Sequence, residues 1–553
     1  MPPGVAAFPA ERIPHDTLWA KVVFTGQPHA RLLALDTTAA RAVPGVLAVI
    51  TAADVPVNEY GLTIFDQPAL IGPPNGRSDV VPDVSRWEAD QLAVVVAETL
   101  DAAGRGAKGL EPVWEQLPVV ADLDDALAGN TLVHPEDGTG SNVYCSLKIR
   151  KGDVDAGFAA ADVVVEGTYE VPYQEHAYLQ PEAAVSYIDD EGRVTVEVAG
   201  QWTHEDRDQI AHALDLRVEQ VRVIYPAIGG AFGGREDMSV QIVMALAAQT
   251  LAAQGEHRPI AVYTNAVPGG AFRGFGAPQG IFVAESQMNK LASVLGLDPV
   301  ELRRRNVVRD GSIGTTQTPM PEGVTMPAVL ESCAAASHWN EPLTAAEPFS
   351  PFTSLRPVER ALRRGRGVAC AFKNVGFSFG FPERCEATIV LHGDGDDPER
   401  AELFHAGADV GQGAHTVFVQ MASEATGLPA EAVVATFSDT AVTGDSGSAS
   451  ASRLTWMAGN SILGAAEEAD KAWRDGQRPA VGRFRYVPPP TEALDPDTGV
   501  CVPNFSYGYT AQVVEVTVDV ETGHIVVDRV ISSPDVRTGR PLQNVKARLG
   551  SQS

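Results

Sequence analysis

The sequence predicts an α+β protein of several domains, and three observations support that class. Residues 17–121 alternate short apolar runs typical of strands with helix-like runs. Farther along, four apolar runs each break into a Gly- or Ser-rich turn that opens a helix. Near the end, residues 514–519 alternate apolar and polar side chains and turn at Thr522-Gly523 into residues 525–530, which predicts a half-buried hairpin.

Length and local patterning predict the order of the parts. A chain of 553 residues suits roughly three or four domains. Two stretches rich in Gly, Asp, Ser or Pro, residues 134–142 and 340–356, predict linkers. Before the first linker, the expected strands are residues 18–24, 46–50, 92–97 and 110–114, and the expected helices are residues 37–43 and a run after Thr99.

Composition excludes several classes of function. The chain has 42 basic and 71 acidic residues, a net charge of -29, which disfavours nucleic acid as a partner. No apolar run approaches the ~18 residues of a membrane span, and the first residues lack the pattern of a standard export signal. The 5 cysteines form no CxxC pair, which disfavours a disulfide framework, a structural zinc or an iron–sulfur cluster in this chain. We therefore expect a cytoplasmic protein.

The four turns carry the main chemical signal. A strand, a small-residue turn and a helix start together aim unpaired backbone N–H groups at a bound anion. Any one such turn is more often structural, because Gly routinely supplies positive φ at tight corners. Four of them suggest a large anionic cofactor, and they lie at residues 228–234, 269–279, 409–413 and 444–453.

Other patterns admit plainer interpretations. Gly274-Phe-Gly276 resembles part of a dinucleotide fingerprint, but Gln279 stands where the third Gly belongs, so a dinucleotide-dependent dehydrogenase is the less favoured alternative. His204 and His212 are not four residues apart, so a solvated helix face is favoured over a zinc site. Glu236 follows a Gly turn near a helix start, where a carboxylate can simply stabilise the helix dipole.

Five motifs together resemble the molybdopterin-binding subunit of the xanthine dehydrogenase family. They occur in that family's order at residues 174–182, 230–236, 271–280, 410–413 and 448–453, and Phe-Gly-Gly-Arg-Glu with Phe-Arg-Gly-Phe-Gly is the most specific pair. The resemblance covers nearly the whole chain. It implies an a/b hammerhead domain at residues 1–130, followed by two mixed α/β molybdopterin-binding domains at residues 145–340 and 355–553.

The resemblance also implies a molybdenum–molybdopterin cofactor, in its cytosine dinucleotide form, whose dithiolene rather than a protein side chain holds the metal. Gln174 would hydrogen-bond an oxygen on molybdenum. The residues implied beside the metal are Phe232, Gly233 and Arg273, and those implied to hold the pterin and its phosphates are Gln412, Ala451 and Ser452. Phe275 and Phe379 would enclose a flat substrate, and Glu236 would hydrogen-bond it or stabilise developing charge.

The activity implied by the resemblance is hydroxylation of an N-heterocycle or an aldehyde with oxygen from water. Because the chain lacks a cysteine cluster and a clear flavin site, separate FAD and 2Fe-2S subunits are the expected partners. The non-enzyme alternative is an inactive remnant or a scaffold subunit. Relatives that oxidise carbon monoxide carry a cysteine in the loop matching residues 375–380; here Cys385 lies beyond that loop, so carbon monoxide is not the expected substrate.

The chain departs from the family pattern in two places. Residues 254–260 directly join segments that several tens of residues separate in relatives, so we expect exposed apolar edges, weak solubility and a Glu236 without its partner across the pocket. Beyond residue 536 the sequence no longer matches the segment that leads, in relatives, to a glutamate that acts as the general base. General-base catalysis contributes ~10²–10⁴-fold, so we expect this chain alone to be inactive even when it is folded and the cofactor is bound.

Overall fold

The computed structural model describes residues 7–264, 270–343 and 362–535. The helices in these ranges are α1 (Thr38–Arg41), α2 (Leu100–Lys108), α3 (Leu123–Ala128), α4 (Val154–Ala160), α5 (Thr203–Ala213), α6 (Gln241–Ala253), α7 (Ala277–Leu295), α8 (Pro299–Asn306), α9 (Met326–Ala336), α10 (Ala414–Thr426) and α11 (Leu454–Arg474).

The strands are β1 (Leu18–Phe24), β2 (Ala30–Asp36), β3 (Val46–Ile50), β4 (Val84–Ser85), β5 (Gln91–Ala97), β6 (Glu111–Gln116), β7 (Glu182–Ile188), β8 (Val194–Val198), β9 (Val221–Ile224), β10 (Ile260–Thr264), β11 (Leu362–Asn374), β12 (Cys385–His392), β13 (Arg400–His405), β14 (Val433–Phe437), β15 (Ala480–Tyr486), β16 (Tyr507–Asp519) and β17 (Ile525–Asp535). None of the helices in the described ranges is long and apolar enough to cross a bilayer.

The largest sheet joins the N-terminal part of the chain to the part that follows. Its seven strands run in the order β3-β5-β1-β10-β7-β8-β9. Strand β1 pairs with β10 in parallel, although about 240 residues separate them in the sequence. The core beneath this sheet therefore combines side chains from both parts, such as Leu18 and Val262, which are fully buried. The boundaries at residues 130 and 145 stay predictions.

The predicted internal gap leaves no open edge at β10. This strand pairs with β1 on one side and antiparallel with β7 on the other. Ile260 and Val262 are both fully buried. The edges of this sheet are instead β3 and β9. The expectation of an exposed apolar edge is thus wrong at this strand. Elsewhere, residues 143–179 and α7 do expose many apolar side chains.

The second half of the chain is built on two smaller sheets. Helices α10 and α11 pack on the sheet β14-β13-β12-β15. Ala458, Ile462, Ala465 and Ala469 recur at helical spacing on the buried face of α11. Gly482 of β15 lets this helix approach closely, since a Cβ at that position would lie 2.0 Å from the backbone oxygen of Ala465. The helix and sheet therefore pack at backbone contact distance.

The predicted C-terminal hairpin is confirmed as β16 and β17, which pair antiparallel in the sheet β11-β16-β17. Helices α8 and α9 contribute to the core beside this sheet, and Ala511 and Val513 of β16 face into it. The predicted linker at residues 340–356 lies mostly outside the described residues. The segment beyond residue 535, where the sequence departs from the family pattern, lies outside them as well.

Candidate functional site

The four predicted turns are present, and three of them lead directly into helices. The second turn (270–276 of the described chain) opens α7, the third (409–413) opens α10 and the fourth (444–453) opens α11. The first turn (228–234) is followed by further irregular backbone, and α6 begins only at Gln241. The helix predicted after the first turn is therefore present, although it does not start directly at the turn. The glycines of this turn allow close contact with neighbouring segments.

The first and second turns touch through Gly233. A Cβ there would lie 2.2 Å from the backbone oxygen of Ala271, and the φ of Gly233 is +101°, so only glycine fits. His176 lies at the same junction, with Nε2 2.6 Å from the Ala271 oxygen. The motif at residues 174–182 therefore reaches the turns through a buried His176. Gln174 itself is exposed, and its contact with an oxygen on molybdenum stays a prediction.

A buried guanidinium fixes the shape of the first turn. Arg235 pairs with Glu182 at 2.9 Å and donates to Gln180 Oε1 and to the Gly230 oxygen, both at 2.9 Å. It also lies 4.1 Å from the centre of the Tyr178 ring. Burial raises the pKa of the Tyr178 hydroxyl, which donates to Glu182. These bonds tie the first turn to residues 178–182.

Gln201, between β8 and α5, joins the first turn to the fourth, and the sequence motifs do not include it. Its Oε1 accepts from the Gly233 N–H at 2.9 Å, and its Nε2 donates to the Ala449 oxygen at 3.0 Å. The Ala449 N–H also donates to the Gln201 backbone oxygen at 2.8 Å. The side chain is almost fully buried. The sequence signal that could have identified Gln201 is its position, because it is an amide that closely follows the fully buried strand β8.

Glu236 is buried and has a hydrogen-bond partner. The Ser448 hydroxyl, in the fourth turn, donates to its carboxylate at 2.7 Å. This hydrogen bond comes from the fourth turn, so the expectation that the short internal connection removes a partner across the pocket stays a prediction. Burial, and next the charge of Glu236, raise the pKa of neighbouring Asp237 to about 6. The first and fourth turns thus share a buried acidic corner.

The fourth turn wraps around the Arg453 guanidinium. Arg453 donates to the backbone oxygens of Ser446 and Ser448 at 2.8 and 3.0 Å and pairs with Glu383 at 3.0 Å. The Ala451 oxygen in turn accepts from the Gly376 N–H at 2.9 Å. This bond brings the loop at residues 375–380 against the fourth turn.

Backbone strain concentrates at the predicted site residues. Ten non-glycine residues in the described ranges have positive φ. Half of them are predicted site residues: Phe232 (55°), Phe275 (48°), Phe379 (58°), Ala451 (49°) and Ser452 (52°). This conformation costs roughly 1–2 kcal/mol for each residue with a Cβ. Backbone strain often clusters at active sites and ligand contacts, so this cluster supports the hypothesis of a functional site at these turns.

The remaining predicted residues differ in what they can contact. The Phe275 side chain is 80% exposed, and Phe379 is 46% exposed, so their ring faces are open to a ligand. The Gln412 amide instead braces the third turn, because it accepts from the Val410 N–H at 2.7 Å and donates to the Ala408 oxygen at 3.0 Å. The contacts of Gln412, Ala451 and Ser452 with the pterin stay predictions. The position of Arg273 beside the metal stays a prediction as well.

Two features fit a hydrogen-bonding anionic ligand at these turns. The Ser450 hydroxyl, in the fourth turn, is buried and has no hydrogen-bond partner within the described ranges. Buried polar groups are rarely left unpaired, so this hydroxyl is suited to contact a bound group. Helix α11 receives no side-chain cap from its N-cap residue, which leaves N–H groups available at its start. At the start of α7 the Ala277 N–H already donates to the Gly274 oxygen at 3.0 Å, and Pro278 has no N–H. No cluster of three His, Cys, Asp or Glu side chains suited to a metal ion occurs among the residues described.

These turns define a protein that binds a large anionic cofactor, and comparisons identify its family. The models of the molybdopterin cofactor-binding domain match residues 133–254, 253–307 and 333–480. The model of the aldehyde oxidase and xanthine dehydrogenase a/b hammerhead domain matches residues 7–118. The large molybdopterin subunit of nicotinate dehydrogenase from Eubacterium barkeri is 30% identical over 59% of this chain and 91% of its own length. The chain belongs to the xanthine dehydrogenase family and carries its molybdopterin-binding domains.

Two further relatives agree with this assignment. A probable xanthine dehydrogenase subunit from Bacillus subtilis is 28% identical, over 80% of this chain and 65% of its own length. The aldehyde oxidoreductase structure from Desulfovibrio gigas superposes with a TM-score of 0.82 at 25% identity, covering 95% of this chain and 66% of that one. The predicted α+β class, a hammerhead domain followed by molybdopterin-binding domains, is confirmed. The chain spans about two thirds of these last two proteins.

Proposed function

We propose that this chain is the molybdopterin-binding catalytic subunit of an enzyme that hydroxylates an N-heterocycle or an aldehyde with oxygen from water. The observation that carries the proposal is the junction of the first, second and fourth turns through Gly233 and Gln201. The names of the relatives, a nicotinate dehydrogenase and an aldehyde oxidoreductase, support these two substrate classes.

The residues present fit the cofactor. The unpartnered Ser450 hydroxyl and the N–H groups at the start of α11 would bind its pterin or phosphate oxygens. The strained backbones of Phe232, Ala451 and Ser452 are held in place by the Gln201 and Arg453 hydrogen bonds. When bound, the molybdenum centre would supply oxygen transfer and accept two electrons.

The chain's own residues would bind and orient the substrate. The exposed faces of Phe275 and Phe379 would enclose a planar ring. Glu236, held by Ser448, would accept a hydrogen bond from a ring N–H or stabilise charge that develops on the ring. We also propose that carbon monoxide is not a substrate, because Cys385 is buried on β12 beside His405, with Sγ and Nε2 3.4 Å apart, and lies outside the loop at residues 375–380.

We also propose that the chain works with partner subunits. FAD and 2Fe-2S subunits would remove the two electrons, and relatives named as subunits support a complex of several chains. We further propose the cytosine dinucleotide form of the cofactor. All five cysteines are unpaired, which supports a reducing compartment such as the cytoplasm.

The test is to purify the chain with its co-expressed partners from cells supplied with molybdate, and then to measure molybdenum and pterin per chain. We expect both in equal amounts. Turnover of nicotinate, hypoxanthine and an aromatic aldehyde with an artificial electron acceptor then separates the two substrate classes. A complex that contains neither molybdenum nor pterin would refute the proposal and favour a scaffold role.

A further inference from the structure

A long segment of the chain has no strand partner. Residues 162–176 form no strand, and none of their backbone N–H groups donates a hydrogen bond to another residue of the described ranges. Residues 163–165 are three valines, and Thr168, Tyr169 and Val171 follow, a composition typical of strands. An unpaired stretch of this kind is a template for an added strand.

The same segment borders an apolar groove. The groove has a volume of about 440 Å³ and lies between α4 and α7, lined by Phe158, Val164, Met288 and Leu291. Helix α7 buries only Ala292 of its 19 residues. Tyr169 holds the unpaired segment near this helix, because its ring meets Phe282 edge-on at 5.9 Å and lies 4.6 Å from the Lys290 ammonium.

The family comparison indicates that the domain containing this groove is shorter than in a relative. The cofactor-binding domain model matches in two pieces that meet at residues 253–254. The alignment with the aldehyde oxidoreductase from Megalodesulfovibrio gigas runs over 610 positions but includes 94% of this chain, or about 520 residues. About 90 aligned positions therefore have no residue in this chain. The break in the domain match at residues 253–254 lies in the domain that holds the groove and the unpaired segment.

We propose that an extended polypeptide segment from a separate chain binds here, adds a strand along residues 163–173 and places apolar side chains in the groove. Residues 153–173 carry five exposed acidic side chains and no basic one: Asp153, Asp155, Asp162, Glu166 and Glu170. The binding segment should therefore carry Lys or Arg on both sides of its apolar positions. Strand addition supplies affinity through backbone hydrogen bonds, and alternate side chains supply specificity. This inference does not depend on the proposed reaction.

The experiment uses hydrogen exchange of the full chain with a synthetic peptide that alternates Val and Thr between two pairs of Lys. Binding should slow exchange at residues 162–176 at least about tenfold. Val164→Asp, which alters an exposed groove residue, and Glu166→Lys, which reverses a rim charge, should each weaken binding about tenfold. The control is Leu123→Asp on α3, an apolar residue that is 81% exposed outside the groove, and it should bind normally.

Three results would overturn the proposal. Equal binding of a peptide whose central residues are Pro would show apolar adsorption without strand addition. Slow exchange of residues 162–176 in the chain alone, together with a dimer mass, would show that a second copy fills the groove. Unchanged exchange with saturating Lys-flanked peptide would show that the segment does not accept a strand.

Discussion

Replacing Gln201 by Ala should separate the first turn from the fourth. The substitution removes three side-chain hydrogen bonds: those from the N–H groups of Gly233 at 2.9 Å and Arg235 at 3.4 Å, and that to the Ala449 oxygen at 3.0 Å. The backbone bond from Ala449 to residue 201 remains. The chain should therefore fold with the two turns less firmly positioned.

The expected magnitude follows from burial. Each of these bonds stabilises the fold by about 0.5–1.5 kcal/mol, and buried groups left unpaired add cost, so the total loss is about 3–5 kcal/mol. If about 1.4 kcal/mol of this loss destabilises the arrangement of the turns that binds the cofactor, the affinity for the cofactor falls about tenfold. Both stability and cofactor content should therefore decrease.

Urea denaturation and molybdenum content per chain measure the two effects, and Asn58→Ala is the matched control. The Asn58 amide is equally buried and makes two comparable bonds, to and from Leu70, at 2.8 and 3.0 Å, but lies in the N-terminal part. We expect both variants to be destabilised and only Gln201→Ala to lose molybdenum. Equal molybdenum content in the two variants would refute the positioning role of Gln201.

Three further predictions concern single residues. Gly233→Ala should lower the melting temperature more than Gly255→Ala. Both glycines have positive φ, but only a Cβ at Gly233 would clash, because it would lie 2.2 Å from a backbone oxygen. Burial raises the pKa of Asp206 to about 7, so the folded state holds a proton that the unfolded state has lost. The free energy of unfolding should therefore fall by up to about 4 kcal/mol as the pH rises from about 4 to 7. Asp206→Asn should remove this pH dependence in urea titrations. Arg453→Met should cost about 3–5 kcal/mol of folding free energy, because it leaves the buried Glu383 carboxylate without its cation, and adding Glu383→Gln should restore part of that loss.

Local signals predicted much of the secondary structure. Apolar runs at residues 18–24 and 46–50 became β1 and β3, and Thr99 caps α2 by accepting from the Ala102 N–H. Alternation and a Thr-Gly turn predicted the hairpin of β16 and β17. These features depend on neighbours in the sequence, so the sequence shows them directly.

The sequence alone determined the family and the glycine turns, because those depend on which residues occur and in what order. The tertiary structure decided what the turns contact. It paired β10 with β1 across about 240 residues, gave Glu236 the Ser448 hydroxyl and placed Gln201 between the first and fourth turns. Such contacts join residues far apart in the chain. Whether an amide side chain bridges two turns, as Gln201 does, or braces its own turn, as Gln412 does, depends on backbone geometry that only packing fixes.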